Sequence, residues 1–471
     1  MILSFQTANF RSLRDAALLS LEATADTEKP EGFEIRRQVP GLPAKHRGVL
    51  PCAVVYGPNA GGKSNVIKGL ELLADLLLFP IRSHREVEND LPLANPAKRL
   101  QPFRLDADSR GAPVEFKICF LHKGLRYAYA LSASRDRIYG ESLNAWPAGR
   151  ETLLYARGEY IPEGKSTLWK VFSRDDGMMK TAWENQAPQN SEEKDAEAWH
   201  FGISFGGGPK EAQALAGRTR PDVPFLSACT LWNHPQCNEV LSWFEQQLSV
   251  LDVETFSHLV IDSTARHCAM NRELKQQVAA LLQAADLGID GLSIESRAIK
   301  PPMGESLPSH KAWAMHTDRD GLELAFDIKN DESYGTQSLF GLAPLLVNSL
   351  SRGGTLVVDE LHAGLHPLLI RAIVRLFQSP ATNPKNAQLL FATHDVTLLD
   401  SSLLRRDQIY FAEKGADNAT ILYSLAEFMK KPRKDGALMT PYLEGRFHAL
   451  PKLADDATWA AFARAFDKDA K

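Results

Sequence analysis

The eight residues Gly57-Pro58-Asn59-Ala60-Gly61-Gly62-Lys63-Ser64 fit the phosphate-binding pattern G-x-x-x-x-G-K-[ST], and their surroundings leave the chain few ways to fold. The apolar run Val49 to Tyr56 before them reads as a buried strand, and Val66 to Leu78 after them carries apolar residues at helical spacing. A strand, a glycine loop and a helix in that order are the core unit of a layered α/β fold. In such a loop the glycines let backbone N–H groups converge on phosphate oxygens, Lys63 supplies charge for the β and γ phosphates, and Ser64 offers its hydroxyl to Mg²⁺. The pattern implies a nucleoside triphosphate. The alternative, a glycine turn without a ligand, leaves the Lys-Ser pair and both flanking elements unexplained.

At 471 residues the chain exceeds one ordinary core, so two or three lobes are expected. A net charge of -4 excludes a wholly basic surface, and nucleic-acid binding would need a local patch. Five scattered cysteines argue against a disulfide framework and for reduced thiols. No charged-then-apolar leader is visible, and no run approaches the ~18 apolar residues of a membrane span, so a cytoplasmic location is expected.

Along the chain, Ile2-Leu3-Ser4-Phe5 and Ala17–Leu21 suggest a two-stranded hairpin, and 25–48 reads as an exposed polar loop. A second polar stretch covers 81–100. Strand patterns return at Val114–Ile118, Tyr127–Leu131 and Ile138–Leu143, predicting an antiparallel sheet that continues the N-terminal lobe. Residues 151–225 are rich in Gly, Pro and charge and read as an irregular insertion. Helices are predicted near Glu239–Leu248 and Met270–Ala285, then strands at Gly291–Ile294 and Leu322–Ile328. Neither helix is long enough for an extended coiled coil.

Thr355-Leu356-Val357-Val358-Asp359-Glu360 is an apolar strand ending in two acids. Asp359 there can hold Mg²⁺ and Glu360 can polarise an attacking water. Adjacent acids on a strand face opposite ways, so both serve one site only if the chain turns straight after Asp359; Leu361-His362-Ala363-Gly364-Leu365-His366-Pro367 supplies a turn. Gln388-Leu389-Leu390-Phe391-Ala392-Thr393-His394-Asp395 is a further apolar strand ending in polar residues, where His394 can reach a γ-phosphate or serve as a hydrogen-bonded structural histidine. Glu332-Ser333-Tyr334-Gly335-Thr336-Gln337 opens a helix and offers a second anion site.

These segments, GPNAGGKS, ESYGTQSL, TLVVDE, LHAGLHP and FATHD, stand in the order of the ABC-type ATPases. Asn9-Phe10-Arg11-Ser12 resembles the opening strand of the SMC, RecF and OLD-like branch. E-S-x-G-T, the acids followed by L-H-x-x-L-H-P, Arg406–Phe411 and Gly445–Pro451 make the chain similar to the AAA-ATPase subunits of phage-defence operons of the AbiL, RloA and PARIS type. The resemblance spans about 1–143 and 322–451. It implies an ABC-ATPase-like P-loop head with an antiparallel β subdomain and a helical lobe. The head would be divided into 1–150, an insertion and helical lobe at 151–330, a second head part at 331–429 and an extension at 430–471. It further implies ATP sandwiched between two protomers of a homodimer or higher homo-oligomer, with Gly57, Pro58, Asn59, Ala60, Gly61, Gly62, Lys63, Ser64, Asp359, Glu360 and His394 from one. Ser333, Gly335 and Gln337 would come from the other. Arg11 matches a basic residue that approaches the nucleotide, and Gln101 takes the place of a Mg²⁺-linked glutamine. Tyr334 and Thr336 around a single glycine depart from the common signature. The implied role is an ATP-hydrolysing sensor that regulates a separate effector, a nuclease or toxin.

Other readings fit less of the pattern. A P-loop kinase has no need of ESYGTQ or His394. A transporter ATPase has a much shorter interval between Ser64 and Asp359. His362 and His366, four apart beside two acids, suggest a metal hydrolase, but Gly364 and Pro367 oppose a helix there and make the pair part of a turn. Lys430-Lys431-Pro432-Arg433-Lys434 suits nucleic acid or a solvated loop. A DNA-repair or DNA-maintenance ATPase of the SMC/RecF type is the main rival, without the long coiled-coil arms that would favour it. The short tail after Phe411 has no acidic cluster for a nuclease of its own.

Overall fold

The computed structural model describes residues 1–25, 42, 48–85, 94–158, 198–201, 205, 209–251, 258–285, 288–299, 307–428, 438–451 and 455–464. The polar loop expected at 25–48, part of the stretch at 81–100, most of 151–225 and the basic run at 430–434 fall outside these residues.

The described residues form three sheets. The first is antiparallel and has seven strands in the order β2-β1-β4-β5-β6-β7-β8. Its members are β1 (Ile2–Ala8), β2 (Ala17–Ser20), β4 (Val114–His122), β5 (Leu125–Ala133), β6 (Ile138–Ala145), β7 (Thr152–Gly158) and β8 (Ala198–Phe201). The predicted hairpin and the antiparallel sheet continuing it are both present, joined by β1 against β4. Residues 152–158 and 198–201 differ from the irregular insertion expected there. Strand β7 pairs onto the free edge of β6 and β8 onto β7, where unsatisfied backbone groups favour further strands over a loose coil.

The second sheet positions the site. Its order is β16-β15-β3-β14-β13-β9, from β3 (Cys52–Tyr56), β9 (Leu248–Leu251), β13 (Thr355–Val358), β14 (Gln388–Ala392), β15 (Ile409–Lys414) and β16 (Thr420–Ser424). All neighbours are parallel except β15 and β16. Both faces are covered, as parallel strands require. Ala53, Val55, Val357 and Leu390 enter one core with helix α1 (Lys63–Arg85), and Val54, Tyr56, Leu356, Val358, Leu389 and Phe391 enter the other. Burying each large apolar side chain contributes roughly 1.5–3 kcal/mol, which holds the strand ends at one edge.

The second core is closed by helices α2 (His258–Met270), α3 (Arg272–Ala284), α4 (Tyr334–Arg352) and α5 (Pro367–Gln378). Leu274, Val278 and Leu282 of α3 are buried on one face, as its spacing predicts. The expected helix ending at Leu248 stops at Gln246, and Leu248–Leu251 becomes the edge strand β9 instead. A third, antiparallel sheet unites β10 (Gly291–Ile299), β11 (Leu307–Thr317) and β12 (Glu323–Asp327). Among the described residues no helix is long and apolar enough to cross a membrane.

Candidate functional site

The glycine loop joins β3 to α1 across the edge where the parallel strands end. Gly62 has φ +104°, and a Cβ there would lie 2.1 Å from Thr420 Oγ1; a Cβ on Gly57 would lie 2.1 Å from the Ala412 carbonyl oxygen. Glycine is required at both for steric reasons. Pro58, Asn59 and Ala60 form the accessible tip, and Ser64 is half-buried in the first turn of α1. Lys63 is buried, and its Nζ donates to the carbonyl oxygens of Gly57 and Pro58, each at 3.1 Å. Burial pushes the Lys63 pKa down, against the carboxylates of Glu360 and Asp359, which favour its charge.

Those carboxylates arrive from β13. Asp359 is buried at the strand end, and Glu360 adopts φ +51°. This left-handed residue is the turn that two adjacent acids need if both are to serve one site. Leu361 N–H donates to the Ala392 carbonyl at 3.1 Å and Ala363 N–H to that of Glu360 at 2.8 Å, which fixes the reversal against β14. From the end of β14, His394 sets Nε2 3.9 Å from Glu360 Oε1. Burial lowers the His394 pKa below 6.5, helped by Lys63 and His362, which favours the neutral ring. The fold thus brings Gly57–Ser64, Asp359, Glu360 and His394 together from three strand ends. His366 is spent otherwise: its Nδ1 caps α5 by accepting from Leu368 N–H at 3.2 Å, while Pro367 opens the helix.

Arg11 and Gln101 meet through backbone, Arg11 N–H donating to the Gln101 carbonyl at 2.8 Å, with Arg11 at φ +52°. The adjacent Ser12 belongs to a network that sequence reasoning missed. Ser12 Oγ lies 2.7 Å from Thr420 Oγ1 and accepts from Asn65 Nδ2 at 2.6 Å, while Thr420 Oγ1 donates to the Gly61 carbonyl at 2.9 Å. Ser12 and Asn65 each sit next to a residue singled out from the sequence. Thr420, far along the chain on β16, carries no such signal.

Ser333, Gly335 and Gln337 gather at the start of α4. Ser333 caps the helix, its Oγ accepting from Thr336 N–H at 3.2 Å. Gly335 lies against the Gly364 turn, where an added Cβ would meet the Gly364 carbonyl oxygen at 2.7 Å. Gln337 Nε2 donates to the carbonyls of Lys329 and Glu332, holding the preceding loop. Ser333 and Tyr334 are exposed.

The donor set fits a nucleotide with a hard cation. Ser64 and Asp359 are oxygen ligands, and Mg²⁺ is ordinarily held by one or two such groups plus substrate phosphates. Among the described residues no group of three His, Cys, Asp or Glu would hold a metal ion by itself. A cleft of about 890 Å³ opens beside the loop, lined by Gly57–Gly61, His394, Glu413, Asn418 and Tyr442, within the size range of small-molecule sites.

Among solved structures, the chain is similar to the SMC head domain from Thermotoga maritima, at 12% identity and a TM-score of 0.35, over 90% of this chain and 98% of that one. It is also similar to an SMC head bound to the C-winged helix domain of ScpA, at 13% identity and a TM-score of 0.33, over 90% and 97%. No curated protein matches the sequence. Residues 52–177 and 178–400 match one protein family, and the chain therefore belongs to the family described as "AAA domain, putative AbiEii toxin, Type IV TA system".

Proposed function

We propose that the protein binds ATP with Mg²⁺ and hydrolyses it at a site completed by a second copy of the chain, and that this cycle regulates a separate effector in antiphage defence. The observation that carries the reading is the meeting of Lys63, Glu360 and His394 at one edge of the parallel sheet. Mg²⁺, held by Ser64, Asp359 and the phosphates, would supply charge neutralisation. Lys63 would leave the loop carbonyls for phosphate oxygens. Glu360 would orient water and take up its proton, and His394, 3.9 Å from Glu360, would fix the geometry around the terminal phosphate. Ser333 and Gly335, at an exposed helix start, would meet the partner's nucleotide, so that association depends on ATP. The family's description, which names a toxin–antitoxin system, is in keeping with a role in defence.

Phosphate release from ATP tests the enzyme reading. The Glu360→Gln variant should bind ATP as the wild type does and lose at least ~100-fold in turnover, the lower range for a general base. An unchanged rate would sink Glu360 as the base. Pull-down with and without ATP tests for the effector, and stimulation by DNA in place of a protein partner would favour the DNA-maintenance reading.

A further inference from the structure

Behind His394 lies a second histidine that the proposed chemistry does not use. The His362 ring meets the His394 ring edge to face, with centroids 5.4 Å apart at 83°. Edge-to-face packing fixes the tilt of both rings. His362 Nδ1 is buried and makes no hydrogen bond to the described residues, and the same holds for Asp395 Oδ2 and the Tyr56 hydroxyl. The three belong together: the Asp395 charge acts on both the His362 ring and the Tyr56 hydroxyl. Asp395 is held firmly by its other oxygen, which accepts from Thr397 N–H at 2.9 Å and Thr397 Oγ1 at 2.6 Å. Unmade hydrogen bonds in a buried cluster are costly, and clusters of this kind collect at functional sites. A bond from His362 Nδ1–H to Asp395 Oδ2, made directly after a small shift or through a single water, would satisfy two of the three atoms.

We propose that His362 is a positioning residue for ATP hydrolysis, anchored by Asp395 and setting the orientation of His394 toward Glu360. Its backbone supports the assignment. The reversal that begins at Glu360 carries His362 back beside β14, and the Leu361–Ala392 hydrogen bond ties the two segments one residue from His362 and two from His394. A rigid His362 keeps His394 in place without touching the nucleotide, so its loss should affect turnover and spare ATP affinity.

This inference rests on the proposed hydrolysis, and the experiment separates the two. In the full-length protein, His362→Phe keeps an aromatic edge against His394 and removes the anchor. It should lower kcat about tenfold or more, leave KM for ATP within twofold and leave Tm unchanged or raised. Asp395→Asn, which keeps the acceptor for Thr397, should lower kcat similarly, and the double variant should fall no further than either alone. If the phenylalanine variant does not fold, His362→Gln gives the same readouts. Full kcat in either folded variant overturns the inference alone, as does a rise in KM with a loss of Tm, the pattern of a merely structural role. A wild type that binds ATP without hydrolysing it overturns the hydrolysis reading and the inference together.

Discussion

Replacing Gly62 with alanine places a methyl carbon 2.1 Å from Thr420 Oγ1, 2.7 Å from its Cγ2 and 2.9 Å from its Cβ. Thr420 must then move. It loses the bond to the Gly61 carbonyl at 2.9 Å and the contact with Ser12 Oγ at 2.7 Å, about 1 kcal/mol each. Holding alanine at φ +104° adds about 1–3 kcal/mol of backbone strain. The closed loop is therefore disfavoured by about 3–5 kcal/mol, equivalent to a loss of ATP affinity of about a hundredfold to several thousandfold at 1.4 kcal/mol per decade. Titration with a fluorescent ATP analogue measures it. The double variant with Thr420→Gly separates the two causes, because it clears all three close contacts and leaves the strain. It should bind more tightly than Gly62→Ala alone, giving a coupling energy of about 1–2 kcal/mol. Affinity within threefold of wild type in the single variant, or strict additivity in the cycle, would refute the steric argument.

Ser333→Arg should leave ATP binding by the protomer intact and abolish ATP-dependent association, read by light scattering after size exclusion; a variant that still dimerises on ATP contradicts the sandwich. Stability should fall in acid. His122, His362 and His394 are all held below the usual 6.5, in each case first by burial, so between that value and their folded pKa the unfolded chain binds protons the folded chain refuses. The stabilisation is complete above 6.5 and is lost as pH falls through the folded pKa values. The melting temperature should drop as the pH falls below about 6.5 and His122→Gln should flatten that slope; a flat wild-type profile contradicts it. Thr420→Val should weaken ATP binding by removing the two hydroxyl contacts, and Thr420→Ser should restore it; equal binding by all three would show that the hydroxyl does not support the loop.

Much of the site is local in sequence. Gly57 to Ser64 needs only its own spacing and its flanking strand and helix. The paired acids could be read as well, together with the condition that a turn follow Asp359; the positive φ at Glu360 meets it. His394 was recognisable by its place after a strand. The rest was hidden because it depends on pairs distant in the chain. Thr420 touches Gly61 and Ser12 across almost the whole sequence, and nothing in its neighbours marks it. Strands β7 to β9 are short runs whose pairing is decided by the free edges they find, not by their own pattern.

The sequence by itself determined the candidate chemistry of this protein: a loop suited to phosphates, hard oxygen groups suited to a cation, a candidate base and a histidine, each beside an apolar run. Side-chain type and strand or helix periodicity are local properties, and they survive in one dimension. Only the tertiary structure decided the company each residue keeps. Packing both faces of the parallel sheet brings β3, β13 and β14 to a common edge, seats Thr420 against Gly62, and sets His362 behind His394. Those contacts come from burying two cores at once, and no segment contains enough of either core to specify them.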